Sequence, residues 1–168
     1  RKMVKIVLSL VSILVLLLWT EASPTTNKTQ VQSDDGTCPE DWTPWGTHCY
    51  YFVETRSSWY GAEALCGAHA GHYFNGHLVS IHSEEENDFV YFTLATPNNL
   101  HIGLYTDNGA PQWFDGTPVD YFNWAPDEPS RYEPHCAKYT SGTFGFWFSE
   151  ACTDELYYVC KCEMNFPF

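Results

Sequence analysis

The stretch Tyr121 to Cys152, YFNWAPDEPSRYEPHCAKYTSGTFGFWFSEAC, decides how this chain is read. Asp127, Glu128 and Glu133 stand in a loop ahead of Cys136, and Trp124 and Trp147 mark its two ends. Almost no helix or strand period runs through it. An acidic loop held by buried aromatic anchors is a place for a hard cation or a polar ligand.

Around that stretch, 168 residues suffice for one domain with a real core and fall short of two. Seven tryptophans supply large apolar surfaces to bury. Near the start, Lys5 precedes a nearly unbroken apolar run from Ile6 to Trp19, and Thr20, Glu21, Ala22 and Ser23 follow. This pattern predicts a signal peptide over 1–22, cleaved after Ala22 or Ser23, and a secreted, extracellular product with no membrane anchor after processing. The competing reading, an uncleaved anchor, is disfavoured because the run is shorter than the ~20 residues a span wants.

Removal of 1–22 takes away three positive charges and one negative, moving the formal net charge from −13 to −15. Such a surface repels nucleic acid and anionic membrane. It suits calcium-rich surroundings, mineral surfaces or cationic partners, or it serves solubility alone. Seven cysteines in a secreted chain imply a disulfide framework with one thiol left over. No C-x-x-C or Cys/His zinc spacing is present, and six cysteines allow fifteen pairings, so spacing leaves the connectivity open.

In chain order, residues 23–37 are polar and without hydrophobic period, a flexible lead carrying the N-glycosylation sequon Asn27-Lys28-Thr29. CPEDWTPWGTHC, from Cys38 to Cys49, reads as a small hairpin, and His48 to Phe52 as a strand. From Ser57 or Ser58, Trp59, Ala62, Cys66 and His69 recur at helical spacing. His77 to Ile81 alternates as a short strand. Ser83 followed by Glu86 is a capping box, with Glu84, Glu85 and Glu86 in a dipole-favoured first turn. The helix it starts runs to about Leu94, with Phe89, Val90, Phe92 and Leu94 as its packing side. Beyond Pro97, His101 to Tyr105 is a strand, Asp107-Asn108-Gly109 and Asp115-Gly116 are turns, and Trp113 is an anchor. Leu156 to Cys162 is a closing strand whose cysteines face alike, and 163–168 is a short tail. Two helices followed by short strands give an α+β domain. His69, His72, His77 and His82 lie in no Gly-x-Ser-x-Gly or His-Glu-x-x-His context, so the chain does not read as an enzyme.

With these pieces in order, the chain resembles the C-type lectin-like domain family, in its secreted, long-form, invertebrate-like kind. The resemblance rests on CPEDWTPWGTHCYYF, the Trp59 to Cys66 helix, HLVSIHSEEENDFV from His77 to Val90, and HIGL at 101–104. It continues in QWFDGTPVDYFNW from Gln112 to Trp124, Glu128-Pro129, Cys136, Trp147 ahead of Cys152, and the terminal YYVCKC. It covers 38–162 and implies an α+β fold of two helices with short antiparallel strands and long disulfide-held loops. It also implies bridges Cys38–Cys49, Cys66–Cys160 and Cys136–Cys152, and leaves Cys162 unpaired or linking two chains as a homodimer. The bridge from Cys66 to Cys160 would stabilise the domain by roughly 4 to 5 kcal/mol in the loop-entropy model.

In calcium-dependent members of this family, a Glu-Pro-Asn or Gln-Pro-Asp triplet, an acid just before the next cysteine and a Trp-Asn-Asp triplet converge on one calcium, whose shell a sugar's hydroxyls complete. Calcium takes six to eight hard oxygens, and an amide both coordinates and donates to a hydroxyl. Here Glu128-Pro129 is kept, with Pro129 the residue the resemblance makes cis. Ser130 replaces the amide, Glu133 is displaced by one with Pro134 at the acid's place, and Phe148-Ser149 replaces Asn-Asp. The candidate carbohydrate and calcium residues are therefore Glu128, Ser130, Glu133, Ser149 and Glu150, the last requiring a shift of register. Two functions follow: a lectin using Ca2+ at this altered site, or an interaction or matrix module that uses the same loops on an extracellular protein or mineral. Phe144, Phe146, Phe148 and Tyr139 favour the second where they are exposed.

Overall fold

The computed structural model describes residues 36–72, 74–94, 99–107, 109–130, 135–140 and 142–165, all within one unit, Asp34–Phe168. The stretch 1–22 expected to be a signal peptide, most of the lead with Asn27, Glu133, Pro134 and the last three residues lie outside the described residues.

Thr43–Trp45 (β1) and His48–Ser57 (β2) form a hairpin on the Gly46-Thr47 turn. Ser58 then caps the helix Trp59–Ala70 (α1), accepting the Gly61 amide at 3.3 Å. Two residues, His77–Leu78 (β3), lead to the short helix Glu84–Asp88 (α2), which widens into a π-helical turn over Phe89–Leu94. Leu100–Asp107 (β4), Ala110–Trp113 (β5), His135–Tyr139 (β6), Trp147–Glu150 (β7) and Leu156–Glu163 (β8) follow. Their sheet runs β1-β2-β8-β4-β6-β7, with β3 added on β8 and β5 on β4.

Several expectations are corrected here. The strands are not all antiparallel: β4 and β8 pair in parallel at Leu100 and His101, making the sheet mixed. His69 is exposed, and the buried side of α1 is Trp59, Ala62, Glu63, Cys66 and Ala70. The Glu63 carboxylate is satisfied there by the Leu78 amide at 2.9 Å and the His77 ring at 2.6 Å. Only half of the capping box forms. Ser83 Oγ accepts the Glu86 amide at 3.1 Å, but Glu86 turns inward to accept from Tyr50 Oη, Lys161 Nζ and the His82 amide instead of reaching back to Ser83. The π turn shifts the helical phase, so that Val90 and Tyr91 are buried while Phe92 faces outward. Beyond Leu78 the strand pairing stops, yet Val79 still donates to Val159 and accepts from Gly103. The Tyr121 to Cys152 stretch contains two strands, β6 and β7, which no alternation announces because β6 is buried on both faces.

Two apolar clusters fill the fold. One surrounds Trp147, whose ring is met edge-on by Trp113, Tyr121 and Trp124 at 5.6, 5.7 and 5.9 Å. The other holds Trp59, Cys66, Tyr158, Cys160 and Cys162 beneath α1. Disulfides join Cys38 to Cys49, Cys66 to Cys160 and Cys136 to Cys152. Cys162 is free and only 3% exposed, and burial pushes its thiol up to about 12.

Candidate functional site

Trp147 positions the loop that carries Glu128. Its amide donates to Asn123 O at 2.8 Å, and its carbonyl accepts the Ala125 amide at 3.0 Å, so residues 123–125 run alongside β7. Its indole donates to Asn87 Oδ1 at 2.8 Å, which also accepts Tyr139 Oη at 2.8 Å. One buried amide thus ties α2, β6 and β7 together, a role its sequence position alone does not reveal. From Ala125 the chain turns through Asp127, held at φ 68°, and enters the cis Glu128–Pro129 bond.

That turn delivers the Glu128 carboxylate onto β7. Oε2 accepts from Ser149 Oγ at 2.6 Å, the Ser130 amide at 2.9 Å and the Ser149 amide at 3.0 Å, and Ser149 Oγ in turn accepts the Ser130 amide at 2.8 Å. Glu128, Ser130 and Ser149 are therefore brought together. Glu150 is not: along a strand successive side chains alternate, and Glu150 pairs with Lys138 across β6. Of the candidate aromatics, Tyr139 is buried and Phe148 half-buried, whereas Phe146 is exposed and Phe144 is 76% exposed.

Residues 55–162 match the family described as Lectin C-type domain. The chain belongs to the C-type lectin domain family. It is similar to the human "C-type lectin domain family 17, member A", 34% identical over 132 residues, which are 76% of this chain and 33% of that protein. It is also similar to echinoidin of Heliocidaris crassispina, 32% identical over 145 residues, 77% of this chain and 99% of echinoidin. Among solved structures, a calcium-independent type II antifreeze protein superposes with a TM-score of 0.70 at 32% identity, covering 78% of this chain and 98% of that one. The chain thus spans less than half the length of some relatives, 33% of that human protein and 44% of the mouse "C-type lectin domain family 10 member A", and nearly all of others such as echinoidin.

C-type lectin domains typically bind Ca2+, and the residues present here fit that ion poorly. The Glu128 oxygen that faces β7 already receives three hydrogen bonds from the protein, and the position of the Asn-Asp pair is filled by a half-buried phenyl and a hydroxyl that donates. Among the described residues, no three His, Cys, Asp or Glu side chains stand together in a way that could hold a metal ion.

Apart from the Glu128 loop, a cleft of about 520 Å³ is lined by His48, His77, Ser80, His82, Asp115 and Lys161, among others. His82 Nδ1 lies 2.8 Å from Asp120 Oδ1, and its Nε2 lies 3.2 Å from both Ser80 Oγ and Thr117 Oγ1. The Ser-His-Asp order superficially matches a hydrolytic relay, but Ser80 is 1% exposed and its hydroxyl bonds Asp115. Burial raises the Asp115 pKa, and hydrogen bonds from Ser80 and Thr117 outweigh it, so the net shift is downward. Lys161 Nζ is held by Ser80 O at 3.0 Å and Glu86 Oε1 at 2.6 Å. This network braces the loops around it, and its serine is buried away from solvent.

Proposed function

We propose that this chain is a secreted recognition module of the C-type lectin family that works without calcium at the Glu128 loop and binds a protein ligand. The observation that carries the reading is the Glu128 carboxylate, whose Oε2 is saturated by Ser130 and Ser149 donors at 2.6 to 3.0 Å. A calcium-bridged sugar draws on the oxygens of this carboxylate, and Oε2 is already taken by the protein. With donors already in place, the loop is ordered by the protein itself, and the ligand is met by neighbouring side chains. The resemblance to a calcium-independent type II antifreeze protein at 32% identity supports a family member of this calcium-free kind.

Carbohydrate recognition through Glu128, Ser130 and Glu133 is the second reading, favoured by the retained Glu128-Pro129 pair. Retention of the mature protein on immobilised mannose and galactose, with calcium and with chelator, separates the two. Retention released by chelator and lost in Glu128→Gln would establish the second reading and end the first. No retention on either sugar, together with an unchanged melting temperature in chelator, is the result expected.

A further inference from the structure

We propose that the face made by Phe122, Phe144 and Phe146 with Glu84, Glu85 and Asp88 docks a basic polypeptide segment in which arginine or lysine alternates with apolar residues. This deepens the calcium-free, protein-binding reading above and rests on it.

The aromatic part is built by the β6–β7 turn. Asn123 Nδ2 donates to Gly145 O at 2.8 Å, which sets Phe122 beside the turn that carries Phe144 and Phe146. Asn87 Nδ2 bonds the same carbonyl at 3.4 Å, and Tyr91 Oη accepts the Gly142 amide at 3.0 Å, so the turn is anchored from below. On that anchored base the three rings face solvent, 49%, 76% and 40% exposed. Phe144 is also held at φ 56°, a conformation costly for a bulky side chain. Two exposed phenyl rings on one turn, with a third on the segment bonded to it, mark a contact surface.

The charge beside it selects the partner. Asn87, buried under Gly145, is flanked on α2 by the exposed Asp88, and Glu84 and Glu85 are exposed one turn earlier. These three carboxylates act on the Tyr121 phenol next to Phe122: burial first, and then Glu84, Asp88 and Glu85, raise its pKa. Every lysine and arginine among the described residues is engaged elsewhere. Arg56 lies over the Tyr157 ring, Lys138 pairs with Glu150 and Lys161 with Glu86. Aromatic rings edged by carboxylates that no described lysine or arginine answers suit guanidinium or ammonium groups on apolar stems. A neutral glycan leaves these carboxylates unanswered, and an anionic surface is repelled.

The test uses a fluorescein-labelled peptide of alternating arginine and leucine, followed by anisotropy against the mature protein in chelator and again in calcium. Saturable binding is expected, weakened about tenfold by F144N and about tenfold by E84Q/E85Q/D88N, the latter with a shallower salt dependence. F144Y retains affinity. F144N suits the left-handed backbone better, so its melting temperature stays at or above wild type and a lost fold does not mimic lost binding. No binding, equal binding by wild type and both variants, or displacement of the peptide by neutral mannan would each overturn the proposal. Binding that needs calcium yet still falls in F144N would overturn the calcium-free reading and leave the docking face standing.

Discussion

Replacing Ser149 by alanine removes the hydroxyl that donates to Glu128 Oε2 at 2.6 Å and accepts the Ser130 amide at 2.8 Å. A hydrogen bond to a charged group contributes about 1.5 to 3 kcal/mol, and the half-buried setting of Glu128 favours the lower part of that range. The Ser130 amide keeps Glu128 Oε2 as a second acceptor at 2.9 Å, so no amide is orphaned. The expected loss is about 1.5 to 2 kcal/mol, or roughly 5 to 8 °C in melting temperature for a domain of this size. Differential scanning calorimetry in chelator and in calcium measures it. The loss should be the same in both, because the serine and not an ion holds the carboxylate. A melting temperature unchanged by Ser149→Ala would refute the reasoning. So would a loss that appears only in calcium.

The buried Lys161–Glu86 pair gives a second expectation: Lys161→Met leaves Glu86 charged and short of a donor, costing about 3 kcal/mol in urea unfolding, whereas Lys161→Met with Glu86→Gln recovers part of it. His77 supplies a pH dependence. Its hydrogen bond to Glu63 raises its pKa above 6.5, against the opposing effect of burial, so the stability it contributes is full below pH 6.5 and fades as pH rises through the raised folded value. His77→Gln should therefore lower the melting temperature most below pH 6.5 and progressively less as pH rises through the raised folded value. His101 acts in the opposite sense. Burial lowers its pKa, so stability is lost as pH falls below 6.5, and His101→Gln should flatten the acid limb of the curve. A Cβ at Gly103 would stand 2.6 Å from Leu78 O, so Gly103→Ala should destabilise by about 2 kcal/mol or more. Cys162, buried with its thiol pushed up to about 12, should resist alkylation in the native protein and react on unfolding, and non-reducing gels should show a monomer.

Some elements were legible in the sequence because a local rule governs each. Ser58 caps α1, the spacing of Trp59, Ala62 and Cys66 marks its buried side, and the aromatic run after His48 makes β2. What local rules miss is set by distant partners. Glu86 looks like a capping acid until Tyr50 and Lys161, from two other strands, draw it into the core. The β6 strand hides because double burial erases alternation, and the π turn at Phe89 changes the helical phase by which exposed phenylalanines would be recognised. At the site, the loss of the Asn-Asp pair was plain in Phe148-Ser149. That Ser149 instead closes on Glu128, while Glu150 turns away to Lys138, follows only from the pairing of β7 with β6 and with the 123–130 segment.

Calcium titration of the mature protein, followed by heat and by melting temperature, tests the central claim most directly. A site with a dissociation constant of about 0.1 mM would add about 2.7 kcal/mol of stability at about 10 mM calcium. The closed Glu128–Ser149 loop predicts no saturable heat and no shift over that range. A saturable heat with a matching rise in melting temperature, both abolished by Glu128→Gln, would contradict it.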